Sequence, residues 1–330
     1  MRRREMKLTT TMPAEGIHLT ALREALASPL ISASARVCTI RHESAARLGA
    51  IALDLPYYDR YLIEVARYAL RLEPRPSPLG SVVHETAAVE IALSMLERAR
   101  AARSDRLAAV GLGLFSHCAM DRQLHPLVNA LARRYSDGRT HDAAHREVEK
   151  LQSICFHDAY FGTSIMGSAV VVRLVAVPVD ELFAGADVLD SLAASYADAC
   201  KTPVAPSLLA RMGRGYERHA TVLGSRLGKR ATSDAEKALS APRFLRGGWG
   251  TFDDVLHRAI GNSAAVLDRA WAFYSSSDAD VATARRVLLD ALPPGSIDPQ
   301  GDDVDLDRPY PLAGRDVEEV GRTLPHRHSR

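Results

Sequence analysis

Apolar residues recur three and four positions apart along most of the chain, the spacing that gives a helix one buried face. The pattern runs through 18–26, 58–72, 84–102, 107–124 and 143–154, and again through 186–200, 207–227, 252–274 and 278–292. Each stretch predicts an amphipathic helix. The valine-rich run 169–177 is the one candidate for extended structure, and standing alone it reads better as a buried helix or a connector. Two breaks interrupt the pattern. The first is Glu-Pro-Arg-Pro-Ser-Pro-Leu-Gly over 73–80, whose prolines lack the N–H a helix needs. The second is 136–140, where Gly138 fits a helix stop. Pro126 cannot bond back to Arg122, so the helix through 107–124 is expected to kink or end near His125. The predicted fold class is all-α.

Three segments follow from the same pattern: a flexible N-terminus over 1–11, one all-α domain over 12–292, and a disordered tail over 293–330. The tail combines prolines with Gly-Asp-Asp-Val-Asp-Leu-Asp and holds too few large apolar residues to pack. At 330 residues, 47% hydrophobic and 25% charged, the chain is long and apolar enough to bury a core. Lys plus Arg number 42 against 40 for Asp plus Glu, a net charge of +2, which removes the electrostatic case for a nucleic-acid or anionic-membrane binder. No apolar run reaches the roughly 18 residues of a membrane span. The basic start, Met-Arg-Arg-Arg-Glu-Met-Lys, lacks the apolar core of a secretory signal, so the expected location is cytoplasmic. Cys38, Cys118, Cys155 and Cys200 lie far apart, which predicts neither a disulfide framework nor a thiolate zinc site.

The chemistry concentrates in one helical stretch. His117, Asp121 and His125 are spaced four apart, so they form one polar stripe drifting about 40° per step. Their neighbours Leu112, Leu114, Phe115, Ala119, Met120 and Leu124 are apolar. Burying two imidazoles and a carboxylate without partners costs several kcal/mol, and a divalent cation would supply the compensation. His145 and Glu149 repeat the four-residue spacing, a standard pair of metal ligands. His84 opens a long helix, Asp54 follows an apolar stretch, and His18 lies near the start of the first helix. Nitrogen and carboxylate ligands without thiolates suit zinc, with manganese and iron also compatible.

Other polar residues read more plainly. His42 and Glu85 are expected to be solvated rather than to support the site. His157 and Asp158 either line the pocket or serve the fold, and His219 and His257 are expected to be non-catalytic. Tyr57, Tyr58 and Tyr61 read as packing, and Arg211, Arg214 and Arg218 as a solvated stripe. His326 and His328 read as solvated.

The order His18, Asp54, His84, His117-x3-Asp121-x3-His125, His145-x3-Glu149 resembles the zinc-dependent phospholipase C family, whose superfamily includes the P1-type nucleases and the catalytic domain of glycosylphosphatidylinositol-specific phospholipase D. The resemblance spans about 12–150. Its most specific part is Gly-Leu-Gly-Leu-Phe-Ser-His117-Cys-Ala-Met-Asp121-Arg-Gln-Leu-His125-Pro126, which is similar to the family's Gly-x-x-x-His-x3-Asp-x3-His-Pro element. The stretches around Asp54 (RLGAIALDLPYY) and His18 (MPAEGIHLTALREAL) resemble two further family segments. The resemblance implies a multi-helical fold with two or three zinc ions in its core. His84, His117 and Asp121 would hold one; His125, His145 and Glu149 a second. Asp54 would bridge toward the first or act as general base, and His18 would share Asp121 at a third. Secreted members complete that third site with the amine of an N-terminal tryptophan, whereas here 17 residues precede His18 and the first tryptophan is Trp249. Leu53 also stands where the family has proline. The implied activity is hydrolysis of a small-molecule or lipid phosphoester, with no nucleic-acid partner. Two alternatives stand beside it: a metal-dependent enzyme acting on a non-phosphate specialised metabolite, and a non-catalytic, metal-stabilised helical module.

Overall fold

The computed structural model describes residues 15–69, 77–230, 232–245, 252–302, 304 and 306, and every regular element among them is helical. The chain opens with α1 (Glu15–Ala27), α2 (Ala33–Arg41) and α3 (Glu43–Ala52), then a tight turn at Leu55–Tyr58 and α4 (Tyr61–Ala69). Next come α5 (Pro78–Val82), a single π turn at Val83–Ala87, α6 (Ala88–Ala102), α7 (Asp105–Arg134) and α8 (His141–Phe161). The remainder comprises α9 (Ala169–Val175), α10 (Val179–Ala184), α11 (Ala186–Cys200), α12 (Pro206–Leu223), α13 (Arg226–Arg230), α14 (Asp234–Phe244), α15 (Phe252–Ser275) and α16 (Val281–Ala291). The valine-rich run is therefore a helix, and the N-terminus over 1–11 lies outside the described residues, as do His326 and His328.

Helix α7 is 30 residues long, about 45 Å at 1.5 Å per residue, and packs against α3, α6, α8 and α15. It is buried on nearly all sides from Leu107 to Ala132, the signature of a central helix. Ser104 caps its start by accepting from the Leu107 N–H, and Arg133 and Arg134 complement the dipole at its end. Two apolar clusters meet along it. Residues up to Ala119 join α3, α6, α11 and α12, while Met120, Leu124, Val128 and Leu131 join Val148 and Leu151 of α8 and Phe252 and Leu256 of α15. The polar stripe lies at the seam between the two.

Three expectations need correction. Of the two outcomes expected at Pro126, an end to α7 is contradicted, since the helix continues to Arg134. The lost hydrogen bond is offset because Leu127, Val128, Leu131 and Ala132, one turn beyond, are buried in the second cluster. The continuous helical run Pro78–Ala102 does meet the length and hydropathy of a membrane span, at 25 residues and a mean hydropathy of 1.3 over its best window, but 61% of that window is buried inside the protein. The start of the supposed tail is also ordered. Ile297 is fully buried, and residues 293–302 lie across α7, whereas 303, 305 and 307–330 fall outside the described residues.

Gly49 of α3 and Gly113 of α7 let those two helices touch backbone to backbone. A Cβ on Gly113 would come 2.0 Å from the Ala46 carbonyl oxygen, and one on Gly49 2.0 Å from that of Val110. This approach brings the Ala50 carbonyl to 2.9 Å from His117 Nδ1. Gly113→Ala is expected to destabilise the protein by roughly 3 kcal/mol, the upper end for overpacking. Gly261→Ala, in α15 with open space around it, should be neutral or slightly stabilising. Urea unfolding checks the pair, and equal midpoints would contradict the close crossing.

Candidate metal centre

Five separate elements deliver the eight residues singled out in the sequence to one place. The central helix α7 supplies His117, Asp121 and His125, α1 supplies His18, and the turn after α3 supplies Asp54. The π turn supplies His84, at the kind of helical irregularity often found at functional sites. Helix α8 supplies His145 and Glu149. Three groups of ligand atoms result, each lying within 4.8 Å of one another: His18, His117 and Asp121; Asp54, His84 and His117; and His125, His145 and Glu149. The first two groups are buried and share His117, whereas His145 and Glu149 of the third are only partly buried. Asp121 is thus grouped with His18 rather than with His84, although its Oδ2 is 3.9 Å from His84 Nε2.

The histidines are oriented from behind. His117 Nδ1 faces the Ala50 carbonyl at 2.9 Å, His84 Nδ1 faces the Gly80 carbonyl at 3.0 Å, and His145 Nδ1 faces Asn129 Oδ1 at 2.7 Å. Each Nδ1–H is therefore the donor, and Nε2 of the neutral ring is a bare lone pair. Those lone pairs point at carboxylates. His117 Nε2 is 3.0 Å from Asp121 Oδ2, His84 Nε2 is 3.2 Å from Asp54 Oδ1, and His145 Nε2 is 3.3 Å from Glu149 Oε1. Acceptor facing acceptor is repulsive unless a proton or a cation lies between them. His117 Nε2 and Asp54 Oδ2 are buried without a hydrogen-bond partner among the described residues.

Protons meet this demand only in part. Burial alone would push His117 down, but Asp121 and Asp54 outweigh it and raise its pKa to about 9. His18 stacks on His117 with centroids 3.9 Å apart, and burial together with that neighbour lowers its pKa to about 4. The two rings therefore do not both carry charge. Burial opposes ionisation of Asp121, yet His117, His125 and His18 hold its carboxyl well below the usual range. A divalent cation within a group would satisfy the lone pairs that face one another there, and nitrogen–oxygen ligand sets with the second imidazole nitrogen bonded outward are how such ions are held. A cavity of about 20 Å³, room for an ion or a water, lies between His18, Asp121, His125 and Glu149, backed by Ile17, Leu124, Val128 and Phe252.

Three residues escaped the sequence reading. Asn129 continues the four-residue beat of His117, Asp121 and His125. It is fully buried and accepts from His141 Nε2 at 3.0 Å as well as from His145. Glu15 sits one turn before His18 and is 3% exposed, with Oε2 unpartnered among the described residues. Burial, then the charges of Asp54 and Glu149, raise its carboxyl well above the usual range. Asp298, from the supposed tail, lies 3.1 Å from His125 Nδ1.

The remaining polar residues sort themselves by contact. His157 is fully buried, anchored within α8 by the Ser153 carbonyl at 2.7 Å from Nδ1, and joins α8 to α1 through Thr20 Oγ1 at 3.0 Å, a structural role. Asp158 binds the Ile165 N–H and pairs with Lys237 at 2.8 Å. His219 is buried against Tyr61 Oη at 3.2 Å, while His257 and Glu85 are exposed and His42 is half-buried. Tyr58 and Tyr61 pack around His219, but Tyr57 reaches the centre, its hydroxyl 3.4 Å from His84 Nδ1. Arg211 pairs with Asp59 at 2.7 Å, and Arg214 and Arg218 are exposed. All four cysteines are free.

Compared with known proteins, the chain matches no family model, no curated protein and no solved structure. The geometry establishes an all-helical protein whose core holds His/Asp/Glu clusters that could bind metal.

The raised His117 pKa sets a pH signature. In the metal-free protein the His117 proton stabilises the fold fully below its ordinary 6.5, and that contribution fades as pH rises through about 9. A bound cation replaces the proton and does not fade. The melting temperature of zinc-loaded protein minus that of chelator-stripped protein should therefore widen between pH 6.5 and 9. A difference that stays flat or narrows would contradict the assignment.

Proposed function

We propose that this protein is a zinc-dependent hydrolase of phosphoesters, similar in its chemistry to the phospholipase C family. The observation that carries the reading is the set of three imidazoles whose Nδ1 atoms are committed to Ala50, Gly80 and Asn129 while their Nε2 atoms converge on carboxylates. A site that only stabilised the fold would need one closed ligand set. Here three sets lie together, two of them sharing His117, and the third is only partly buried.

Zinc, when bound, supplies a Lewis acid for a phosphoryl oxygen and brings the pKa of a coordinated water toward neutrality. The residues supply the rest. Asp54 directs Oδ1 at His84 while its buried Oδ2 stays free of any hydrogen bond among the described residues, which suits a carboxylate that orients or deprotonates the attacking water. His117 belongs to both buried groups and holds them in register. Tyr57, 40% exposed and next to His84, marks with His145, Glu149 and Asp298 the side from which a substrate can approach. The near-neutral charge fits a small-molecule or lipid phosphoester better than a nucleic acid. A cytoplasmic location and a soluble phosphoester go together in this reading, because free lipid hydrolysis would endanger the cell's own membrane.

The test is a screen of the zinc-loaded protein against chromogenic phosphodiesters and phosphomonoesters. Asp54→Asn should lower kcat about 100-fold or more, with the ions at the His125 group retained. Zinc-loaded protein that hydrolyses neither ester class would contradict the proposal. Hydrolysis of carboxylic esters or amides alone would move the site to the non-phosphate alternative.

A further inference from the structure

Residues 293–302 form a strap along one side of α7, fastened over more than three turns. Arg122 donates to the carbonyls of Gly295 and Ser296, both at 3.2 Å. Asn129 donates to Asp298 Oδ1 at 2.6 Å and to the Pro299 carbonyl at 2.9 Å. Arg133 holds the carbonyls of Gln300 and Gly301 at 2.6 and 2.8 Å. Gly301, with φ of +65°, lies against Pro126, where a Cβ would come 2.2 Å from the proline carbonyl oxygen. At the other end the Ile297 N–H donates to the His84 carbonyl at 3.0 Å, and the Ile297 side chain is fully buried. One short segment therefore touches ligands of two of the three groups: the backbone of His84 and the ring of His125.

We propose that Asp298 is a positioning residue of the metal centre, holding His125 from behind so that its Nε2 faces Glu149. Its Oδ1 lies 3.1 Å from His125 Nδ1, off the N–H axis, while Nε2 of the same ring is 3.3 Å from Glu149 Oε1 and 3.7 Å from Asp121 Oδ1. The same oxygen accepts from Asn129, whose own Oδ1 accepts from His145. Asp298 and Asn129 thus form one outer layer behind both histidines of the partly buried group. His84, His117 and His145 take backbone or amide acceptors at Nδ1, whereas the Nδ1 of His125 faces a carboxylate. Carboxylates in that position strengthen a metal-bound imidazole and are typically worth 10- to 100-fold in metal affinity. Asp298 makes the affinity of the ion at the His125 group depend on this segment, and among the described residues its side chain contacts none of the ligands of the two buried groups.

The inference rests on the metal reading above and is tested by zinc stoichiometry and affinity, measured by competition with a zinc-chelating indicator on the full chain. Wild-type protein is expected to show two classes of zinc. Asp298→Ala should weaken one class by 10- to 100-fold and leave the other within threefold. Asp298→Asn, which keeps the shape and the contact with Asn129, should fall between the two and serves should the alanine variant fail to fold. Cobalt substitution adds a spectroscopic readout, since the visible bands of one site alone should change. Two zinc classes unaltered in both variants would overturn the role of Asp298 and leave the hydrolase reading standing. So would parallel weakening of both classes together with a lower melting temperature of the metal-free protein, because that would make the strap a structural clamp. Wild-type protein that binds no zinc would overturn both.

Discussion

His117 and Asp121 face each other across 3.0 Å inside a helix-packed interior, with the imidazole already committed through Nδ1 to the Ala50 carbonyl. A neutral ring there sets a lone pair against a carboxylate, in surroundings where neither meets water, at a cost of several kcal/mol. Much of the molecule is arranged around that pair. Gly49 and Gly113 permit the helix crossing that brings Ala50 within reach, and the π turn aims His84 at the same carboxylates. The two apolar clusters meet where α7 changes from one set of partners to the other, and the polar stripe lies at that seam. A cation at this seam resolves the charge pattern, whereas protons resolve only part of it because His18 and His117 stack too closely to share two of them.

The helical fold was legible because burial and periodicity coincide. The repeats at 186–200 and 252–274 fall on α11 (Ala186–Cys200) and α15 (Phe252–Ser275) with almost no shift. Five of the eight candidate ligands were legible because His117, Asp121 and His125, and then His145 and Glu149, recur at four-residue spacing inside apolar stretches, whereas His18, Asp54 and His84 have no such spacing and were named from the resemblance. What failed shares one cause. The effect of Pro126 on α7 was judged from a lost hydrogen bond, but the outcome was decided by Leu127, Val128 and Leu131, whose burial depends on helices far along the chain. The segment 293–302 was judged from its composition, which is that of a loop, and a loop it is. Its order comes from arginine and asparagine side chains of α7 that donate to its carbonyls, a pairing that leaves no periodic trace in sequence.

Asn129 marks the boundary between the two kinds of failure. It stands on the beat that names His117, Asp121 and His125, so the spacing pointed to it. In the structure it works one layer out, donating to the strap and accepting from His141 and His145. Outer-layer residues of this kind are read from hydrogen bonds that cross between elements, and sequence periodicity carries little of that information.

The central claim is that the seam of this protein is a cation site, and its most direct test is metal content by mass spectrometry on protein purified without a chelator or a metal-binding tag. The account predicts two or more zinc ions per chain, lost in a His117→Ala, Asp121→Ala double variant that otherwise stays helical. A chain that carries no metal, with a fold unchanged by the double substitution, would contradict it and leave the stripe as a polar network within a helical core.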